Sequence, residues 1–379
     1  MTLTALGIDI MLPVFAELRS YFGLSHESTA TADIITFFFM GQIAQFIFGV
    51  LSDRYGRLPI LRLGFPLYIV GGVAAAFAPT LPLMFAARFI AGMGASALLT
   101  TTIAGVRDRF VGDQMAHTMS LIFTIFLFTP VIAPFLGSLI LSIASWRMVF
   151  LTPPIIAAIV FAWSLLRLEE SLPREKRIAI NWPNLRHSVR TILKNGAFLR
   201  YTMITTLLFS ALSSYVSSSE RIVGEIYGKP HLFKWIFGSM GLLMACCSFL
   251  NSYLSAHFGA RRSVKGLLIL YTVIAGFLLL FTMTAGQPPD MLIFFIAIAL
   301  LMSLNLAVEP NSSALAMEPL GDMAGLASAT YGTFFFFIGS TVGSMVSHFM
   351  VNGVLPLVVC FFGVGAAALL LALSDRRPR

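Results

Sequence analysis

Gly49-Val50-Leu51-Ser52-Asp53-Arg54-Tyr55-Gly56-Arg57 gathers glycines, a carboxylate and two guanidiniums into a short gap in otherwise apolar sequence. The run over 32–51 leads into it and the run over 59–78 leaves it. Each is about 20 residues, long enough to cross the hydrocarbon core of a bilayer. The gap is therefore a hairpin at a membrane surface. Glycine serves where backbones turn or approach one another, and charged groups serve where helix ends meet water and headgroups.

The rest of the chain reads the same way. It is 58% hydrophobic and 11% charged, against about 45–50% and 25% for a soluble domain, so the fold class is an all-α integral membrane protein. The net charge of +8 does not point to nucleic acid, because the basic residues are not clustered on one polar face. Cys246 and Cys247 are adjacent and Cys360 is remote, a spacing that suits neither a disulfide framework nor a metal site. No metal or cofactor is expected. Met1 leads straight into apolar sequence without a basic lead-in or a small-residue cleavage site, so no cleavable signal is expected. The missing cytosolic lead-in is also what a clipped start would give.

Apolar runs bounded by charged or Pro/Gly punctuation predict transmembrane helices over 1–17, 31–51, 59–78, 83–105, 117–141 and 148–168. Six more follow over 198–219, 234–257, 264–284, 291–317, 324–349 and 354–373. This gives a six-helix bundle over 1–168, a linker over 169–197 and a second six-helix bundle over 198–379. Most of the 25 lysines and arginines fall in alternate gaps: Arg54, Arg57 and Arg62; Arg107 and Arg109; the linker; Arg261, Arg262 and Lys265; and Arg376, Arg377 and Arg379. By the positive-inside rule those gaps and both termini are cytosolic. Within the linker, 185–193 reads equally as an amphipathic surface helix, with basic residues toward anionic lipid, and as a solvated connection.

The halves echo one another. Leu51-Ser52-Asp53-Arg54-Tyr55-Gly56-Arg57 has a degraded counterpart in Leu254-Ser255-Ala256-His257-Phe258-Gly259-Ala260-Arg261, and Gly112-Asp113-Gln114-Met115-Ala116 pairs with Gly321-Asp322-Met323-Ala324. Two parallel six-helix repeats around a midplane site are a recurring plan of secondary transporters.

The same residues resemble the major facilitator superfamily, in its twelve-helix drug:proton antiporter branch. The loop signature G-x-L-x-D-R-x-G-R is met by Gly49, Leu51, Asp53, Arg54, Gly56 and Arg57. Span four carries the branch's Arg88 with Gly92 and Gly94, and Gly7-Ile8-Asp9-Ile10-Met11-Leu12-Pro13 is similar to bicyclomycin-resistance-type exporters. Span five departs from the antiporter pattern G-P-x-x-G-G, reading Ala133-Pro134-Phe135-Leu136-Gly137-Ser138. The resemblance implies the major facilitator fold and transport of small molecules. It also implies that Gly49, Asp53, Arg54, Gly56 and Arg57 form a conformational latch at the cytosolic ends of the bundles, with Asp53 its acidic component.

An ionisable side chain inside a span is costly and is a functional candidate by default. Asp9, in span one, is a proton or cation acceptor candidate. At about 1.5 Å per residue it shares a depth with Arg88 of span four, so protonating the carboxylate would release the arginine and bias one of two conformations. A static buried ion pair is the alternative. Glu309, beside Pro310 in span ten, is a second acidic candidate at an expected kink, or else a carboxylate that caps a broken helix or pairs with a cytosolic arginine. Asp33, at the start of span two, is expected to serve structure as a dipole-compensating acid. His117, His257 and His348 lie near span ends, where interfacial packing is expected. Pro130, Pro134 and Gly137 in span five, with Gly339-Ser340-Thr341-Val342-Gly343 in span eleven, suit close approach and flexing at an interface between the halves. No HExxH-type pair, cysteine–histidine site or credible pair of carboxylates is seen in the sequence, so an enzyme is not expected.

The chain is thus expected to be a monomeric, proton-coupled exporter of small amphipathic compounds in a bacterial inner membrane, driven by the proton gradient with no cofactor. Its partners would be the substrate, protons and the lipid bilayer. The alternative is a facilitator or symporter of the same fold for one defined metabolite or siderophore.

Overall fold

The computed structural model describes residues 2–25, 28–110, 112–177, 181–350 and 353–375, without the side chains at 112, 113, 116, 120, 123, 127, 176, 252, 256, 322 and 324. The tail arginines, Ala256 and most of the Gly112/Gly321 echo therefore lie outside the description. Every regular element among the described residues is helical.

The chain forms two compact units, Met1–His26 with Asp33–Ser188 and Glu27–Ala32 with Val189–Arg379. The first holds α1 (Thr2–Asp9), α2 (Phe15–Tyr21), α3 (Asp33–Gly41), α4 (Ala44–Tyr55), α5 (Arg57–Ala76), α6 (Leu81–Arg109), α7 (Gly112–Ile143) and α8 (Trp146–Arg167). After α9 (Trp182–Lys194), the second holds α10 (Gly196–Arg221), α11 (Phe233–Phe258), α12 (Ala260–Ala285), α13 (Met291–Met317), α14 (Ala324–Thr333), α15 (Gly339–His348) and α16 (Leu355–Leu373). Among the described residues, ten segments are long and apolar enough to cross a membrane.

The other two of the twelve predicted spans depart from a simple apolar helix for identifiable reasons. Span one is not a single helix over 1–17: α1 ends at Asp9, a 3-10 turn covers Leu12–Val14, and α2 follows. Pro13 lacks the N–H that would bond the Asp9 carbonyl four residues earlier, so the helical ladder cannot continue there. Span seven, α10, is long enough but rich in buried serines, among them Ser210, Ser213, Ser214, Ser217, Ser218 and Ser219. Small side chains let α15 lie close: a Cβ at Gly343 would stand 2.7 Å from the Ser210 carbonyl oxygen. Ser214 donates to the Ala211 carbonyl at 2.8 Å and Ser217 meets Ser347 of α15 at 3.0 Å, while the buried Ser213 hydroxyl has no hydrogen-bond partner among the described residues. Spans two and eleven are also interrupted, at Gln42–Ile43 between α3 and α4 and by a π-turn over Phe334–Ile338 between α14 and α15.

In the first unit, α6 is the element against which α3, α4 and α5 pack. A Cβ at Gly92 would overlap the Phe38 carbonyl of α3, and one at Gly94 would overlap the Tyr68 backbone of α5. Both glycines are therefore places where two backbones meet, as in small-residue helix contacts generally. Gly137 does the same for α7, its missing Cβ making room for the Ile10 carbonyl at the break in span one. In the second unit α12 packs on α13 and α16, and α10 on α13, α15 and α16.

Candidate functional site

Asp9 is the last residue of α1 and is 6% exposed. Its carboxylate accepts no hydrogen bond and makes no ion pair among the described residues. Arg88, 3% exposed on α6, reaches the same stretch of α1 but does not pair with Asp9. Its Nη2 donates to the Gly7 carbonyl at 2.7 Å, its Nε donates to the Ile34 carbonyl at 3.3 Å, and its guanidinium lies 4.4 Å from the Phe38 ring centroid. The expected Asp9–Arg88 ion pair is therefore corrected. The guanidinium is desolvated by an aromatic face and satisfied by carbonyl oxygens of two helices, so it ties α1 to α3 two residues before the acid. Tyr68 of α5 adds a second tie one turn earlier, its hydroxyl donating to the Leu3 carbonyl at 2.6 Å.

Glu309 sits in α13, which runs as one helix from Met291 through Pro310 to Met317. Its Oε1 accepts from the Tyr331 hydroxyl of α14 at 3.2 Å. Tyr331 stacks on Phe335, and Phe335 lies 4.3 Å from Phe209 between ring centroids. An acid with an aromatic neighbourhood thus exists in the second unit, on residues separate from the first. Pro130 and Pro134 lie within a continuous α7. Gly137 meets Ile10 of its own unit, while Gly339 and Gly343 meet Phe209 and Ser210 of α10 in theirs. Asp33 opens α3 as an acid in its first turn.

The hairpin 49–57 is a dense polar cluster. α4 ends at Tyr55, Gly56 turns with φ 106°, and α5 begins at Arg57. Arg57 is buried and lies between two acids, donating from Nη1 to Asp53 Oδ1 at 2.5 Å and from Nε to Asp108 Oδ2 at 2.8 Å, with Ser52 Oγ at 3.0 Å. Asp108 comes from the end of α6. Glu170, three residues beyond α8, caps α5: Oε1 accepts from Arg57 N at 2.8 Å and Oε2 from Leu58 N at 3.1 Å. A Cβ at Gly56 would overlap this carboxylate. Burial alone would raise the Glu170 carboxyl; the N–H groups of Leu172, Arg57 and Leu58, with Arg177, outweigh it and hold the group below the ordinary carboxylate value. Arg54 is exposed and lies over Tyr55, 5.2 Å from its centroid. Gly49 is an interior residue of α4.

The second unit repeats the plan with other residues. Gly259 turns with φ 78° between α11 and α12. Arg261 donates to Glu318, just past α13, at 2.7 Å and lies 3.7 Å from Asp375, just past α16. Asp375 also receives Arg200 at 3.1 Å and the Tyr201 hydroxyl at 2.7 Å. Glu318 and Asp375 thus stand where Asp108 and Glu170 stand in the first unit. Sequence reasoning compared the hairpins and the Gly112 and Gly321 segments and missed these four acids, although acids just beyond the fourth, sixth, tenth and twelfth spans were a usable signal. Tyr68, Tyr331 and Gln42 were also missed. Gln42 is fully buried at the α3–α4 break, with no partner for either amide atom among the described residues.

The comparisons with known proteins agree with this plan. Residues 1–344 match the family model of the Major Facilitator Superfamily. The MFS-type transporter YdgK of Bacillus subtilis is 32% identical over 347 residues, covering 90% of this chain and 85% of that one. A bicyclomycin resistance protein homolog of Haemophilus influenzae is 26% identical over 97% of this chain and 91% of its own length. The multidrug resistance protein MdtL of Shewanella oneidensis is 29% identical over 86% and 81%. Among solved structures, a D-xylose–proton symporter superposes with TM-score 0.70 at 18% identity, covering 98% of this chain and 94% of that one, which speaks for the fold alone. Twelve spans in two units, the hairpin cluster and the matched family model together make this chain a multi-pass membrane transporter of the Major Facilitator Superfamily.

Proposed function

We propose that the protein is a proton-coupled exporter of small amphipathic compounds across a bacterial cytoplasmic membrane. It works by alternating access as a monomer without a cofactor, and both termini are cytosolic. The single observation that carries the reading is Asp9: a buried carboxylate without a hydrogen-bond or ion-pair partner among the described residues, at a break in the first spanning segment. A buried ionised carboxylate with no counter-charge is expensive, so this group gains most from a proton or a cationic ligand. Arg88 holds α1 to α3 beside it and supplies a fixed positive charge against which the charge of Asp9 changes. Glu309, with Tyr331 and the nearby phenylalanines, is the second acidic contact. Resistance-named relatives of similar length support export of drugs. A same-fold facilitator or symporter for one defined metabolite or siderophore is the rival, favoured by the departure from the antiporter pattern in span five.

Purified protein in vesicles with an imposed proton gradient tests the proposal. Concentrative movement of a lipophilic cation is expected in the wild type, its collapse on adding a protonophore, and its loss in Asp9→Asn with membrane insertion intact. Concentrative movement by Asp9→Asn equal to the wild type would overturn the assignment of Asp9. Passive exchange untouched by the protonophore would favour the facilitator.

A further inference from the structure

The linker helix α9 carries features that transport does not use. Its 13 residues, Trp182-Pro183-Asn184-Leu185-Arg186-His187-Ser188-Val189-Arg190-Thr191-Ile192-Leu193-Lys194, contain four basic-type side chains and no acid. The helix is well started: Asn181 Oδ1 accepts from Asn184 N at 3.3 Å, a cap on the first turn. It is also tightly tethered at its end. Only Asn195 separates it from α10, and the Asn195 side chain accepts from Ala197 N at 3.1 Å and Phe198 N at 3.0 Å. Two Cα steps put Lys194 within about 8 Å of the first residue of a spanning segment. The C-terminal end of α9 is therefore held at headgroup level.

Trp182, Arg186, Arg190 and Lys194 recur every four residues and form one stripe. Leu185, Val189, Ile192 and Leu193 form the adjacent stripe, and Ile192 is fully buried, which seats the helix on the protein. The basic stripe is not seated. Arg186, Arg190 and Lys194 are exposed, with no hydrogen-bond or ion-pair partner among the described residues, and Trp182 is 72% exposed.

We propose that α9 is a binding surface for anionic phospholipid headgroups, with Arg186, Arg190 and Lys194 holding lipid phosphates and Trp182 lying at the interface. Guanidinium forks match phosphate oxygens, and indole rings favour the headgroup layer. A polybasic helix held at a membrane surface meets anionic lipid before any soluble polyanion. The proposal rests on the membrane-spanning fold and is independent of what the protein transports.

Protein in nanodiscs of phosphatidylcholine is given a small fraction of brominated phosphatidylglycerol or, separately, brominated phosphatidylcholine. The Trp182 signal is taken as the difference between wild type and Trp182→Phe. Quenching by the anionic lipid is expected to exceed that by the zwitterionic lipid at least about fivefold, the contribution of one basic side chain near an anionic surface. The excess is lost in the triple variant R186Q/R190Q/K194Q and largely kept in R186K/R190K. Unchanged quenching of Trp163 and Trp235, both exposed on spanning helices, verifies the fold. Should the triple variant not fold, 0.5 M salt applied to the wild type gives the same decision by screening the charges. Equal quenching by both lipids in the wild type, or an excess that survives charge removal or salt, would overturn the proposal.

Discussion

Gly56 carries two constraints at once: its φ of 106° lies where a side chain is strained, and the space its Cβ would fill belongs to Glu170. The motif glycine is therefore the partner of an acid more than a hundred residues away. Glu170 in turn supplies a pH dependence. Its folded value is depressed below the unfolded one, near 4.5. Its contribution to stability is then fully present above the unfolded value and is lost as pH falls through the folded one. Melting temperatures of wild type and Glu170→Gln in detergent should differ at pH 7, and the gap should close as pH drops below about 4.5. A gap constant down to pH 3 would mean that the ionised carboxylate is not what caps α5.

At the scale of elements, the break in span one depends on Pro13. Restoring the missing N–H with Pro13→Ala lets the helical ladder of α1 continue past Asp9 and closes the break at which the carboxylate stands. Transport should fall at least about tenfold while the melting temperature stays level or rises, since alanine supplies a backbone N–H donor that proline lacks. Full transport would mean that the break does not position Asp9. The serine-rich α10 shows the reverse relation. Its composition is too polar for an apolar span, because it meets the small residues Gly339, Gly343 and Ser347 of its own unit. A hydropathy window cannot see that partner.

At the scale of the whole molecule, both units carry the same cluster: a glycine turn, an arginine, and acids from the ends of the two segments corresponding to spans four and six. The first is richer, since Asp53 adds a second acid to Arg57 and Glu170 caps the following helix. If the hairpin is a charge-dependent latch, Asp53→Asn should slow switching between conformations and reduce turnover several-fold, with substrate affinity changed by less than about twofold. Spectroscopic distance distributions across the membrane, with and without substrate, would show it. Full turnover with unchanged state populations would remove Asp53 from that role.

The sequence alone determined the membrane class, the twelve segments, the two-fold repeat and the hairpin motif. These follow from apolar run length, charge placement and local turn chemistry, all of which are written locally in the chain. It also marked Asp9, Arg88 and Glu309, because charge within an apolar run is visible without a fold. Only the tertiary structure decided their partners. Arg88 proved to bond carbonyls of α1 and α3, Glu309 to meet Tyr331, and Arg57 to join acids from the ends of α6 and α8. Partnership depends on which helices lie side by side, and that is set by where glycines allow backbones to touch.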